Sequence, residues 1–458
     1  MIYRKEVNPF NIMKASLWTV MVIGITIWLV SCSAKFTSPT AEEVGQDIIE
    51  LIVSSKYDDV YRFFTEELKD SMSQAEFIEM WEEQLGENSN YIEMVSLHSS
   101  ERGQGYHVVE AGLEYTNVIF DVRMIFNEEL QLVSIHKTEG VVNSVIPDKV
   151  IEEEMIVGQG TPYELGATLT LPEEYVGRLP AVVLVQGSGP SDRDSAVYSY
   201  KPFRDIAWGL AEQGIAVLRY DKRTYTYGSE MSQEEIAEFT VYEETVEDAI
   251  LAADLLKKDP RIDANHVYVI GHSLGGMLAP RIEATGGEFA GLIIMAGSPR
   301  SLWEIIYDQN MALLALEKES DRQEPKKQIE EEYEKAMRLE SFSEEEIKDK
   351  TIFGIPAFYF KGLESYDPKE LLSKIEKPLL ILQGEDDIQV YLEKDFALYE
   401  DLLKDRENAT LISYPGLNHF FIRYEGEKKG TIDEYQHPGV VHPDVISDMA
   451  RWVMEQYE

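Results

Sequence analysis

The first candidate for chemistry is the pentapeptide at residues 271–275, Gly-His-Ser-Leu-Gly, in which Ser273 stands between two glycines. An apolar run at 267–270 precedes this pentapeptide, and a helical pattern at 277–284 follows it. A serine on a sharp turn between a strand and a helix exposes its hydroxyl at the top of a sheet, where it can attack a substrate carbonyl. Glycines suit such a turn because it brings neighbouring backbone close together. Ser273 is therefore predicted to be a nucleophile.

A serine hydroxyl needs a neighbouring base, because it is a poor nucleophile at neutral pH. In the chain order that accompanies this pentapeptide, the base is a histidine that follows both the serine and an acid. Of the eight histidines, His419, His437 and His442 lie far enough beyond the serine. His419 comes just past the last strand-like run, whereas the other two each precede a proline in a stretch typical of loops. His419 is the predicted base.

The third group is a carboxylate that orients the imidazole and stabilises its cation. The apolar run at 291–295 ends without a carboxylate, whereas the run at 379–382 is followed by three of them. The acid is therefore expected among Glu385, Asp386 and Asp387.

An oxyanion hole for the tetrahedral intermediate needs two backbone N–H donors. One donor is expected from Leu274, the residue after the nucleophile. The other is expected from the loop after the apolar run at 181–185, which reads Gln-Gly-Ser-Gly-Pro over 186–190. By its position in that loop, Ser188 is the predicted second donor.

The elements that must carry these residues follow from the pattern beyond residue 154. Strand-like apolar runs alternate there with amphipathic helical stretches, which is typical of a parallel sheet with helices on both faces. Residues 299–375 interrupt the alternation with a long, charged and helical stretch. We expect an insertion that covers the site, and a solvated helical excursion without substrate contact is the alternative. The clearest strand-like runs are at 163–171, 181–185, 215–220, 267–270, 291–295 and 379–382.

A smaller domain is predicted over residues 41–140. Apolar residues recur at helical spacing up to about residue 90, and alternating strand-like runs follow from 91 to 136. Helices followed by a meander of strands indicate an α+β domain. Its histidines lack metal-ligand spacing, so no chemistry is assigned to it, and residues 141–154 are expected to connect it to the next domain.

The N-terminus has the features of a targeting signal. Three basic residues precede an apolar run at 16–30, which is shorter than the roughly 20 residues that a membrane span needs. Residues 29–32, Leu-Val-Ser-Cys, resemble the lipobox of bacterial lipoproteins. The resemblance implies a signal peptide over 1–31, lipidation of Cys32 and a polar tether over 32–40. An uncleaved anchor helix with an incidental cysteine is the alternative.

Composition narrows the class of protein. The 458 residues include 84 acidic and 42 basic side chains, which give a formal net charge of −42. Such an acidic excess argues against nucleic acid as a partner, because phosphate binding needs clustered Lys and Arg. A hydrophobic fraction of 44% excludes wholesale disorder, and the single cysteine excludes an internal disulfide framework.

Residues 155–458 resemble an α/β-hydrolase of the esterase and acyl-hydrolase type. The segments that carry the resemblance are Gln-Gly-Ser-Gly-Pro at 186, Arg-Tyr-Asp-Lys-Arg at 219, the serine pentapeptide, and Asn-His-Phe at 418. The family pattern Gly-x-x-Asp-x-x-Val matches Asp387 and so implies this residue as the acid, with Asp386 as the alternative. The chain departs from the family at Gln186, where His is usual, and at Thr224, where Gly is usual. The 41–140 segment resembles the small domain of unknown function, nuclear-transport-factor-like in fold, that precedes hydrolases in some Gram-positive lipoproteins.

The resemblance implies a membrane-anchored serine hydrolase that cleaves small carboxylic esters through an acyl-Ser273 intermediate on the extracytoplasmic face of the cell membrane. No cofactor, metal or nucleic acid is expected, since the sequence has no metal-ligand set, Walker loop or dinucleotide fingerprint. Two alternatives remain open: a serine peptidase or amidase of the same fold, and an envelope-binding lipoprotein whose hydrolase domain is secondary. The acyl length, the leaving group and the oligomeric state are left open.

Overall fold

A computed structural model describes residues 39–82, 91–102, 105–115, 118–137, 141–142, 146–232, 235–236, 239–319, 322–348 and 350–457. The predicted signal peptide at 1–31 and Cys32 lie outside the described residues. Across the ranges that are described, no helix combines the length and apolar character needed to cross a bilayer.

The first domain places helices ahead of an antiparallel sheet, as predicted. Thr40 begins the first helix with a capping box, because its side chain accepts a hydrogen bond from the Glu43 backbone while the Glu43 carboxylate accepts one from Thr40. The helices and strands share one apolar core, which includes Ile48, Trp81 and Phe120. The elements are α1 (Ala41–Val53), α2 (Tyr57–Val60), α3 (Glu66–Ser71), α4 (Gln74–Glu82), β1 (Tyr91–Arg102), β2 (Tyr106–Tyr115), β3 (Val118–Phe126), β4 (Leu132–Lys137) and β5 (Val141–Val142).

The second domain is built on an eight-stranded sheet with the order β15-β14-β11-β10-β8-β9-β7-β6. Every neighbouring pair is parallel except β6 with β7 and β7 with β9. The predicted mostly parallel, doubly wound sheet is therefore confirmed, with one reversed strand near its edge. The strands are β6 (Val150–Val157), β7 (Leu165–Pro172), β8 (Leu179–Val185), β9 (Ala216–Tyr220), β10 (Ile262–His272), β11 (Leu292–Met295), β14 (Leu379–Gly384) and β15 (Ala409–Tyr414).

One expectation was wrong at the edge of this sheet. Residues 141–154 were expected to be a connection, yet β6 begins at Val150 and pairs antiparallel with β7. The three consecutive glutamates 152–154 hide the strand pattern, because each faces an arginine: Glu152 pairs with Arg219 at 2.7 Å, and its two neighbours pair with arginines in the same way.

Helices cover both faces of the sheet. Successive side chains of a strand point to opposite faces, so Val183 joins one apolar cluster while Val182 joins the other. The flanking helices are α5 (Pro202–Ala211), α6 (Arg223–Tyr227), α7 (Glu247–Lys258), α8 (Leu274–Ile282), α14 (Ala397–Leu403) and α15 (Pro443–Tyr457).

The predicted insertion at 299–375 lies between β11 and β14 and is mainly helical. It also contains a short hairpin that the sequence pattern did not indicate. Arg300, at its start, pairs with the fully buried Asp395 at 2.7 Å and so ties the insertion to the helical turn at 392–396 that leads into α14. The elements of the insertion are α9 (Leu302–Leu316), α10 (Gln323–Met337), α11 (Glu344–Lys348), β12 (Thr351–Ile352), β13 (Ile355–Pro356), α12 (Ala357–Glu364) and α13 (Pro368–Lys374).

Candidate active site

Ser273 lies on the sharp turn between β10 and α8. Its backbone has φ 56° and ψ −118°, a region that side-chain-bearing residues rarely adopt and that stores about 1–3 kcal/mol of strain. Both glycines of the pentapeptide are required by packing. A Cβ at Gly271 would collide with the carbonyl oxygen of Gly275, and a Cβ at Gly275 would collide with the carbonyl oxygen of Val185. The turn therefore presents the serine side chain as the pentapeptide predicts.

His419 and Asp387 form a buried pair. The Nδ1 atom of His419 lies 2.8 Å from Oδ2 of Asp387, and the Asp387 side chain is fully buried. The other carboxylate oxygen of Asp387 accepts hydrogen bonds from the backbone N–H groups of Gln389, at 2.7 Å, and Val390, at 3.0 Å. The Gln383 side chain donates to Oδ2 at 3.0 Å. Three other donors thus hold the carboxylate against the imidazole.

The two other candidate carboxylates are occupied elsewhere. Ser413 donates its hydroxyl to Glu385 at 2.8 Å, and Asp386 pairs with Lys429 at 3.0 Å. Neither contact involves an imidazole, so the geometry distinguishes Asp387 from both neighbours.

The remaining late histidines have other partners. The His437 ring stacks on Tyr424 with centroids 4.8 Å apart, and Nδ1 of His442 lies 3.7 Å from the Asp444 carboxylate. Neither histidine lines the cavity that contains Ser273.

His272 is a residue whose contribution the sequence reasoning missed. Its Nε2 atom lies 2.9 Å from the backbone oxygen of His419, and the two rings are 4.7 Å apart. Burial, with the positive charge that His419 can carry, lowers the pKa of His272 to about 3. A neutral His272 can donate from Nε2 to that oxygen and so holds the His419 backbone in place. The only feature of the sequence that could have indicated this role is the position of His272 next to Ser273 in the pentapeptide.

The predicted oxyanion donors border the same cavity. Ser188, Leu274, Ser273 and His419 all line it, with Asp387 behind the imidazole. The Leu274 N–H belongs to the first turn of α8, where backbone donors have no partner within the helix. Gly187, next to Ser188, is so close to the serine that an added Cβ would lie 3.1 Å from Ser273 Cβ.

Gln186, the departure from the family pattern, has a defined place. It is buried, and its side-chain amide donates to the backbone oxygen of Tyr220 at the end of β9. The charged Arg193 of the same loop also has a partner within the domain, since it lies 2.8 Å from Asp221. These contacts fix the loops around the site.

The cavity has a volume of about 460 Å³, within the usual range for small-molecule sites. Its walls are mainly apolar, and part of them comes from the insertion, which therefore covers the site as expected rather than standing apart in solvent. The apolar lining side chains include Val197, Met231, Ile236, Phe239, Met277, Phe420 and Ile432, with Leu302, Ile305, Ile306, Ile355 and Tyr359 from the insertion.

Comparison with known proteins matches both domains. Residues 197–426 match the family described as serine aminopeptidase, S33, and residues 45–135 match one described as protein of unknown function (DUF3887). Esterase EstD of Thermotoga maritima is 30% identical over 413 residues, which cover 89% of this chain and 94% of that protein. The likeness to this esterase thus extends over both domains.

Solved structures also resemble the chain. Est1E from Butyrivibrio proteoclasticus is 20% identical, covers 66% of this chain and 98% of its own, and superposes with a TM-score of 0.42. An esterase of Pyrococcus furiosus is 16% identical, covers 70% of this chain and 98% of its own, and has a TM-score of 0.42.

Proposed function

This chain belongs to the family of α/β-hydrolases described as serine aminopeptidase, S33, and from that premise we propose that it hydrolyses carboxylic esters through an acyl-serine intermediate on Ser273. The observation that carries the proposal is the buried pair of His419 and Asp387, 2.8 Å apart, beside a cavity that also contains Ser273 on its strained turn. A nucleophile, a base and an acid that orients the base are the three parts that acyl transfer requires.

The reaction follows from these positions. The Ser273 hydroxyl attacks the ester carbonyl while His419 takes its proton, and the N–H groups of Ser188 and Leu274 stabilise the oxyanion. His419 then protonates the departing alcohol, which leaves the acyl group on Ser273. A water molecule, deprotonated by His419, attacks that acyl group, and His419 returns the proton to the Ser273 oxygen as the bond to the acyl group breaks and the acid is released. Asp387 keeps the imidazole oriented and stabilises its cation in both steps.

The lining of the cavity favours esters over the N-terminal peptides that the family description suggests. An aminopeptidase needs a carboxylate that can bind the substrate's ammonium group. Among the described residues that line the cavity, Glu244 carries the only carboxylate. That carboxylate is already paired with Lys222 at 2.9 Å. Apolar walls suit the acyl chain of a neutral ester.

Activity against two substrate panels tests the proposal. Purified protein is assayed with p-nitrophenyl esters of increasing acyl length and with aminoacyl p-nitroanilides, and Ser273→Ala is the control. We expect ester hydrolysis that Ser273→Ala abolishes, and labelling of the wild type by a fluorophosphonate at Ser273. Hydrolysis of the anilides alone would favour the peptidase. Equal inactivity of both proteins on every substrate would contradict the enzymatic proposal.

We also propose that the mature chain is anchored at the extracytoplasmic face of the cell membrane by a lipid on Cys32. The proposal rests on the basic, apolar and lipobox-like segments at 1–32. A diacylglyceryl group supplies two acyl chains, which hold a protein stably where a single chain binds only marginally. In a bacterial host, a radiolabelled fatty acid should mark the wild type and not Cys32→Ala. Labelling that survives this substitution would contradict the anchor.

A further inference from the structure

Lys222 is a buried cation that neither lines the cavity nor belongs to the proposed triad. Its side chain is 1% exposed, and its Nζ atom donates to the backbone oxygen of Gly187 at 2.7 Å. The same Nζ atom lies 2.9 Å from a carboxylate oxygen of Glu244. Lysine is almost never fully buried unless it is paired, so the burial of this charge calls for a structural or functional explanation.

The orientation of one peptide group supplies that reason. The carbonyl of Gly187 and the N–H of Ser188 belong to the same planar, trans peptide unit, so they point in opposite directions. A carbonyl held toward Lys222 turns the Ser188 N–H away from Lys222. Both Gly187 and Ser188 line the cavity, and Gly187 is in close contact with Ser273. We infer that Lys222 is a positioning residue that aims the Ser188 N–H into the oxyanion hole; this inference rests on the proposed function.

The cation also acts on the strength of that donor. A positive charge on a carbonyl oxygen polarises the peptide unit, and hydrogen bonds in a chain strengthen one another in this way. The Ser188 N–H therefore becomes a better donor to a developing oxyanion than an unpolarised peptide would be. The gain is largest in a site that excludes water.

The loop around Ser188 is braced at further points by the segment that carries Lys222. The Lys222 N–H donates to the backbone oxygen of Ser191 at 3.0 Å, and the Gln186 side chain donates to the backbone oxygen of Tyr220. These two contacts set where the loop lies. The side-chain contact of Lys222 sets which way the Gly187–Ser188 peptide faces.

Glu244 extends this arrangement to the insertion. Its second carboxylate oxygen accepts the hydroxyl of Tyr359, which lies on α12 and lines the cavity. Tyr359, Glu244, Lys222 and Gly187 thus form a continuous chain from the cover of the cavity to the oxyanion loop. A change at Tyr359 should reach the Ser188 N–H through this chain.

Two variants separate a positioning role from a structural one. Lys222→Met removes the ammonium group but leaves Glu244 buried without its cation, so it also lowers stability. The double variant Lys222→Met/Glu244→Gln removes both charges, and its amide oxygen can still accept the Tyr359 hydroxyl. We expect the double variant to recover melting temperature over Lys222→Met, while kcat for a p-nitrophenyl ester stays about 10- to 100-fold below wild type and KM changes little.

A trifluoromethyl ketone provides the readout specific to the oxyanion hole. Its adduct with Ser273 carries an oxyanion in the hole, so its inhibition constant should rise by the same factor by which kcat/KM falls. Tyr359→Phe, which keeps the ring and its volume, should shift both values in the same direction by a smaller factor.

Several outcomes would overturn the inference. A double variant that recovers both stability and wild-type kcat would make Lys222 a purely structural residue. A fall in kcat without a rise in the ketone's inhibition constant would show that Lys222 acts elsewhere than on the oxyanion, and unchanged values in Tyr359→Phe would break the link to the insertion. Wild-type protein that a fluorophosphonate does not label at Ser273 would contradict the proposed function itself, whatever the Lys222 variants do.

Discussion

At the residue scale, three neighbouring carboxylates differ in their donors rather than in their chemistry. Asp387 accepts hydrogen bonds from a histidine ring, a glutamine amide and two backbone N–H groups, whereas Asp386 pairs with Lys429. An acid that orients an imidazole must be held rigidly itself. The dense set of donors gives Asp387 that rigidity.

Substitution of the two aspartates tests this distinction. Asp387→Asn should lower kcat by about 10³–10⁴-fold, because an amide cannot stabilise the imidazolium and permits the wrong tautomer. The matched control, Asp386→Asn, loses only a half-exposed ion pair and should stay within about twofold of wild type. Steady-state rates on a p-nitrophenyl ester measure both. The reverse ranking would make Asp386 the acid.

His272 predicts how stability depends on pH. Its pKa falls from 6.5 to about 3 on folding, so the unfolded chain binds a proton that the folded chain does not between those values. The stability that this pKa shift contributes is therefore fully present above pH 6.5 and is lost as the pH falls toward 3. Between pH 7 and pH 5, the free energy of unfolding of His272→Gln should therefore fall by about 2 kcal/mol less than that of the wild type. Urea unfolding at the two pH values measures this, and equal losses would contradict it.

At the scale of elements, the insertion decides the shape of the cavity. Helix α9 places Ile305 against the cavity, where it is 4% exposed, while Leu313 on the same helix is 41% exposed. The first turns of the helix therefore shape the site, while Leu313 lies about two turns further along and outside the cavity lining. The sequence indicated a helical insertion over 299–375 but not which of its side chains would meet the cavity.

A bulkier side chain at Ile305, which lines the cavity, should change acyl preference. Ile305→Trp should lower the ratio of kcat/KM for p-nitrophenyl octanoate to that for the acetate by at least about 10-fold, because the longer chain loses room. The matched control Leu313→Trp, at an exposed position of the same helix outside the cavity lining, should leave the ratio within about twofold of wild type. An unchanged ratio in Ile305→Trp would mean that the acyl chain lies elsewhere.

At the scale of the whole molecule, the described residues form one apolar core in the first domain and three apolar clusters in the second. The core of residues 41–135 includes none of the residues that form the cores of the hydrolase domain. All of the described residues that line the cavity lie between Gly187 and Tyr435. The machinery of the proposed reaction therefore belongs to the second domain.

Removal of the first domain tests that division. A chain that begins at residue 146 should retain kcat/KM on a p-nitrophenyl butyrate within about twofold of a chain that begins at residue 33, because a domain with its own core can fold alone. Circular dichroism of both chains checks that each is folded. A tenfold loss of kcat/KM in a folded shorter chain would assign the first domain a part in substrate binding.

The sequence by itself determined the elements whose signals are local. The pentapeptide around Ser273, the alternation of strands and helices, and the chain order of serine, acid and histidine need only neighbouring residues and spacing to be recognised. Only the tertiary structure decided which carboxylate meets His419, that His272 supports it, that glutamates 152–154 lie on an edge strand, and that Lys222 faces Gly187. Each of those outcomes depends on partners far apart in the chain, and the energy of a buried charge or hydrogen bond is set by the group it meets in space.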